Sequence, residues 1–151
     1  MPGLDSHISD LYKAHNQGQE KYTYFLLAAA GAAIGFAVQK TEGLTLSWWL
    51  SPVALATALW AASFYSGCKN LDWVQVATMA NYALLQLIDG SHPKQPPHPQ
   101  LVGAAMDGVR AALETNVNKA QLYAKWQFRF LVAGALCFIA WRVLEMYRIT
   151  K

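Results

Sequence analysis

Residues that could do chemistry together are scarce in this chain. His92 and His98 flank a proline-rich stretch, but neither has a cysteine or carboxylate at ligand spacing. A metal centre is therefore not expected. Cys68 and Cys137 lack a neighbouring histidine that would make either a nucleophile. There is no glycine-rich phosphate loop and no pair of convergent carboxylates. Nor is there an arginine followed a few residues later by histidine, the spacing of one class of ribonucleases. The apolar runs hold no ionisable group in their interiors, as ion-coupled transporters usually require. Neither an enzyme nor a cofactor is predicted. What the elements must position is a set of helix faces.

Those elements are apolar and long. Tyr22–Gln39 and Gly43–Cys68 are uncharged, and only Lys40, Thr41 and Glu42 part them. A helix needs roughly 20 apolar residues to cross a bilayer core about 30 Å thick. The pattern predicts membrane helices over 22–39 and 44–68. A third is predicted over 126–147, around the uncharged core Phe130–Trp141. Arg129 and Arg142 border that core and can snorkel. Residues 69–125 read as a cytoplasmic helical pair with a proline-rich loop at 90–99. The expected fold is all-α: a transmembrane hairpin plus a third membrane helix continuous with the helical pair. At 151 residues this makes one domain. The polar stretch 5–21 reads as an amphipathic helical lead-in capped by Ser6, and no signal peptide is expected.

Several faces are candidates for contact. Gly31 and Gly35 form a GxxxG pair, and Ala54, Ala58 and Ala62 repeat at the same spacing in the second span. Such faces let helix backbones approach closely in lipid. Lys69–Asp72 suggests a break, with Asn70 capping the next helix. Beyond it, Asp72, Gln75, Thr78 and Asn81 are assigned to a polar face that meets solvent, a partner or a wet lumen. Val102, Met106, Val109 and Leu113 alternate by four and three, with Asn116 as the polar insertion. This heptad pattern fits antiparallel pairing with 71–88 or a seam between copies.

Charge sets the expected orientation. Lys13, Lys21, Lys69, Lys94, Arg110, Lys119, Lys125 and Arg129 fall on one side of three spans; Lys40, Arg142, Arg148 and Lys151 fall on the other. The positive-inside rule makes the amino terminus and 69–129 cytoplasmic and puts the carboxyl terminus outside. The cysteines then sit at different depths, so no disulfide is expected. Basic residues are spread without a run, which argues against nucleic acid.

From Tyr22 to about Arg129 this layout resembles small membrane effectors of bacterial phage defence. These include two-span effector domains and the membrane accessory proteins of RNA-targeting CRISPR systems. The resemblance is architectural and carries no functional residue. It implies a homo-oligomeric inner-membrane pore that alters permeability. The alternative is a non-conducting scaffold that binds a cytoplasmic protein through its helical pair. Expected partners are membrane lipid and further copies of the chain, with that protein under the alternative.

Overall fold

Glycine and proline set the boundaries of the helices. Helix α1 runs from Pro2 to Thr41. The chain then turns at Gly43, whose φ of 76° is cheap only without a side chain. The Leu44 amide donates to the Thr41 carbonyl at 3.2 Å. A 3₁₀ turn, Trp48–Leu50, leads into α2, Ser51–Asp89, with Pro52 in the first turn. Gly90, at φ 74°, closes α2. There the Ser91 amide donates to the Gln86 carbonyl at 3.0 Å, the six-to-one bond of a Schellman cap. The connection is not extended throughout: it turns at Pro93–Lys94, where the Gln95 amide donates to the His92 carbonyl at 2.9 Å, before α3, Pro99–Ile149. The computed structural model describes the backbone of residues 2–44 and 47–149, and the side chains of 17–44 and 47–148. Side chains of the lead-in up to residue 16, Ser6 included, lie outside the described residues.

The fold is all-helical, with no strand among the described residues. Among the described residues, two helices are long and apolar enough to cross a membrane: α1 over Gln17–Thr41 and α3 within Pro99–Arg148. The span expected over 44–68 starts only at Ser51 and is not one of these two. Ser51, Thr57, Trp60, Ser63, Tyr65, Ser66 and Gly67 dilute its apolar character. The break expected at Lys69–Asp72 is absent, and α2 passes through it. Lys69 Nζ meets Asp72 Oδ2 at 3.1 Å, one turn on, a pairing that suits a helix. Asn70 is buried in the interior of the continuous helix, not at a helix start.

The chain divides into two compact units, Met1–Gly67 with Trp126–Lys151, and Cys68–Lys125. The first unit is built from α1, the first part of α2 and the last part of α3. Its core cluster is Ala37, Val53, Ala56, Trp60 and Trp141. Phe138 packs on that cluster, with ring centroids 5.8 Å from Phe36, 5.7 Å from Trp60 and 5.4 Å from Trp141. Such tilted and edge-on pairs add about 0.5–1.5 kcal/mol each beyond burial. The second unit is an α2–α3 pair. Ala77, Leu87, Asn70, Asn116 and Ala120 are buried in it, and Lys119 Nζ lies 4.2 Å from the Trp73 ring centroid.

Candidate functional site

The first unit is held by an inner seam with a three–four rhythm. On α1 the inward residues are Thr23, Leu26, Ala30, Ala33 and Ala37. On α2 they are Val53, Ala56, Trp60, Ser63 and Gly67. On α3, Gln127, Phe130, Gly134, Cys137 and Trp141 follow the same alternation. This is heptad spacing, the geometry of helices packed nearly in line. Small and polar residues occupy many of these positions. Membrane helices use that chemistry, because lipid gives no hydrophobic drive for one helix to seek another.

Two glycines make the closest approaches. A Cβ at Gly134 would stand 2.6 Å from Trp60 Nε1 and 3.1 Å from the Ala56 carbonyl oxygen. A Cβ at Gly67 would meet Gln127 Nε2 at 2.5 Å and Leu27 Cδ2 at 2.7 Å. Neither position has room for a larger residue without a shift. Hydrogen bonds cross the same contacts. Ser63 Oγ donates to the Gln127 carbonyl at 2.7 Å, and Trp60 Nε1 donates to the Leu131 carbonyl at 3.2 Å. The Gln127 amide Nε2 donates to the Thr23 carbonyl at 3.4 Å. One amide side chain thus ties α3 to α1, while α2 holds α3 through its backbone. Gln127 is 1% exposed and its Oε1 has no partner among the described residues. A buried polar atom left unpaired is costly, which makes this amide the most constrained polar group of the seam.

The expected packing face lies elsewhere on the same helices. Gly31 and Gly35 are exposed, and a Cβ at either would meet no described heavy atom within 4 Å. Ala54 and Ala58 are exposed and Ala62 is half-buried. Within the chain the contact runs through Ala30, Ala37 and Ala56, not through the GxxxG pair. A fixed spacing of four drifts around the helix, because each fourth residue advances 40° past a full turn. Alternating steps of three and four cancel that drift.

The second unit separates residues that the sequence reading had grouped. Asp72, Gln75 and Thr78 are exposed, whereas Asn81 is half-buried. Nine residues at 100° each place Asn81 opposite Asp72, so one face cannot hold both. Val102, Met106, Val109 and Leu113 are half-buried on the face of α3 whose next members, Asn116 and Ala120, are buried. They lie on the packed face of the unit and stay partly exposed. His92 Nδ1 accepts from the Lys94 amide at 3.1 Å and so serves the loop. Cys68 is exposed and Cys137 half-buried, both free thiols.

Gln127, Ser63, Gly67 and Gly134 are absent from the sequence-based candidates. Gln127 had a signal: it is a lone amide entering the apolar stretch that starts at Trp126. The two glycines had none, because their role depends on which residue of a neighbouring helix faces them. No family model, curated protein or solved structure matches the chain.

Proposed function

We propose that the protein is a multi-pass inner-membrane protein that assembles into a homo-oligomeric, channel-like pore and alters membrane permeability. This is the role the resemblance to phage-defence effectors implies. The supporting observation is the placement of apolar and polar surface. In the first unit Phe25, Leu136 and Ile139 are exposed at 67%, 63% and 58%, while Ser63 and Gln127 are buried. Only 22% of the apolar window of α1 and 11% of that of α3 is buried, unlike the core helix of a soluble protein. A lipid exterior satisfies such a surface. In the second unit, Asp72, Gln75 and Thr78 are interleaved with exposed Val76, Met79 and Tyr82. That face is apolar for water and polar for lipid. Copies arranged about an axis meet both demands, with apolar members at contacts and polar members toward a wet lumen.

The test is mass measurement in nanodiscs followed by planar-bilayer conductance. A discrete oligomer with ion flux is expected. Replacing Gln75 and Thr78 by Leu should reduce the flux sharply while assembly persists, because an apolar constriction can close a pore by dewetting. An oligomer that stays silent at every voltage would overturn the pore.

The second reading is a non-conducting scaffold that offers the same helical pair to another protein. It is supported by the exposed apolar members of that face, Val76, Met79 and Tyr82, which suit a protein contact as well as a contact between copies. A silent oligomer that captures a defined protein, and loses it on Met79→Glu, would establish this reading instead.

A further inference from the structure

A cavity of about 80 Å³ lies at one end of the first unit, bordered by Ser47, Trp49, Trp141, Glu145 and Arg148 with two leucines. One buried water needs roughly 10–15 Å³ by the same measure, so the space suits a larger polar group. Arg148 Nη2 and Glu145 Oε1 pair at 3.0 Å, and the carboxylate is largely withdrawn, with a side chain 16% exposed. Trp141 is 4% exposed, and its indole Nε1 is a buried donor with no partner among the described residues. That N–H is closed off from the open space, so the cavity itself joins one cation and one anion. Beside it Trp48, 90% exposed, and Trp49, 53% exposed, stand as aromatics do at headgroup level.

We propose that this cavity holds the phosphoethanolamine headgroup of a membrane lipid. The inference rests on the membrane reading above. A guanidinium has five donors, so Arg148 keeps several for a phosphate after its bond to Glu145. The second oxygen of Glu145 accepts from a primary ammonium. Leu44 and Leu50 offer apolar surface where the acyl chains would leave. Charge decides the lipid class. A phosphatidylglycerol headgroup brings a net negative charge and offers Glu145 only neutral hydroxyls, not a cation. A phosphocholine headgroup brings a cation that cannot donate a hydrogen bond.

The experiment is titration of the detergent-purified full chain, read by native mass spectrometry. The probes are short-chain phosphatidylethanolamine, phosphatidylcholine, phosphatidylglycerol and water-soluble glycerophosphoethanolamine. Phosphatidylethanolamine should bind about tenfold tighter than the other two lipids, the scale of one charge-assisted hydrogen bond. Glu145→Gln should erase that preference. Arg148→Gln, at a half-exposed position that leaves the fold intact, should weaken every phosphodiester about tenfold. Equal binding of the three lipids by the wild type, or unchanged binding by Arg148→Gln, would overturn the proposal. Glycerophosphoethanolamine binding as tightly as the lipid would overturn the lipid source. Extraction of the protein without detergent would end the membrane reading and the lipid source together. In that event, a soluble-ester affinity lowered by Arg148→Gln would still identify the cavity as a phosphoethanolamine site.

Discussion

The two units of this chain are built partly from the same helices and differ in how much charge their surfaces carry. In the first, large apolar side chains such as Phe25 and Leu136 point out, and Thr23, Ser63 and Gln127 are buried. In the second, the exposed surface of α2 and α3 carries Asp72, Asp107, Arg110, Glu114 and Lys119 among apolar Val76, Met79 and Tyr82, and Ala77 and Leu87 are buried beside Asn70 and Asn116. Helix propensity does not separate the two, since α2 and α3 continue through both. The separation lies in what each exterior can meet. Close contact and interhelical hydrogen bonds carry the first unit, and apolar burial with surface charge carries the second. Substitutions that fill space should therefore damage the first unit most, and loss of charge should hardly affect the second.

The largest expected effect is at Gly134. A Cβ alone would lie 2.6 Å from the Trp60 indole, so Gly134→Leu must separate α2 from α3. Overpacking of this kind costs roughly 1–3 kcal/mol or more. The variant should lose its cooperative melt in mild detergent, or melt far below the wild type. A wild-type melting curve would mean that the seam yields easily and that packing does not distinguish the units.

Next comes a coupled pair. Gly67→Ala places a methyl against the Gln127 amide and should cost about 1–3 kcal/mol. Gln127→Ala removes the bond to the Thr23 carbonyl and leaves a cavity, for a loss of about 2–3 kcal/mol. Together they should cost less than their sum, because each relieves the other. Denaturation of the four proteins in a double-mutant cycle measures this. Strict additivity would show that the two side chains do not meet.

Much of this arrangement was legible in the sequence, and the illegible part has one physical cause. The helices around Tyr22–Gln39 and Phe130–Trp141, the turn at Gly90 and the prolines before α3 follow from local composition. The choice of packing face does not. Gly31 and Gly35 match a known contact spacing, yet a helix can turn either side of that pair to its neighbours. The decision rests on Trp60, Gln127 and Trp141, residues of other helices that need small partners opposite them. The break expected at Lys69–Asp72 failed for a related reason. Polar residues there suggest a cap, but an i,i+3 ion pair and the burial of Asn70 keep the helix whole.

Smaller effects should follow at the cross-helix bonds. Ser63→Ala removes the 2.7 Å bond to the Gln127 carbonyl and should cost about 0.5–1.5 kcal/mol. In the second unit, Asp72→Asn breaks the exposed pair with Lys69, and such pairs contribute about 0–1 kcal/mol. Thermal melts of both variants under one condition test the ranking. A larger loss from Asp72→Asn than from Ser63→Ala would reverse the comparison between the units.

The smallest expected effect is at the exposed glycines. Gly31→Ala and Gly35→Ala put a methyl into open space and remove the backbone freedom that glycine brings to a helix. Alanine is favoured over glycine there by about 0.5–1 kcal/mol, so both variants should melt at or slightly above the wild type. Gly35→Leu extends the test outward. Among the described residues no packing neighbour stands within 4 Å of a Cβ there, so the fold should tolerate the larger side chain. If Gly35→Leu leaves the melt intact but abolishes the oligomer in nanodiscs, the GxxxG face is a contact between copies. The two glycine pairs would then divide the work, Gly67 and Gly134 inside the protomer and Gly31 and Gly35 between protomers. Unchanged mass would assign the outer pair to lipid, and assembly would have to run through Val76, Met79 and Tyr82 of the second unit.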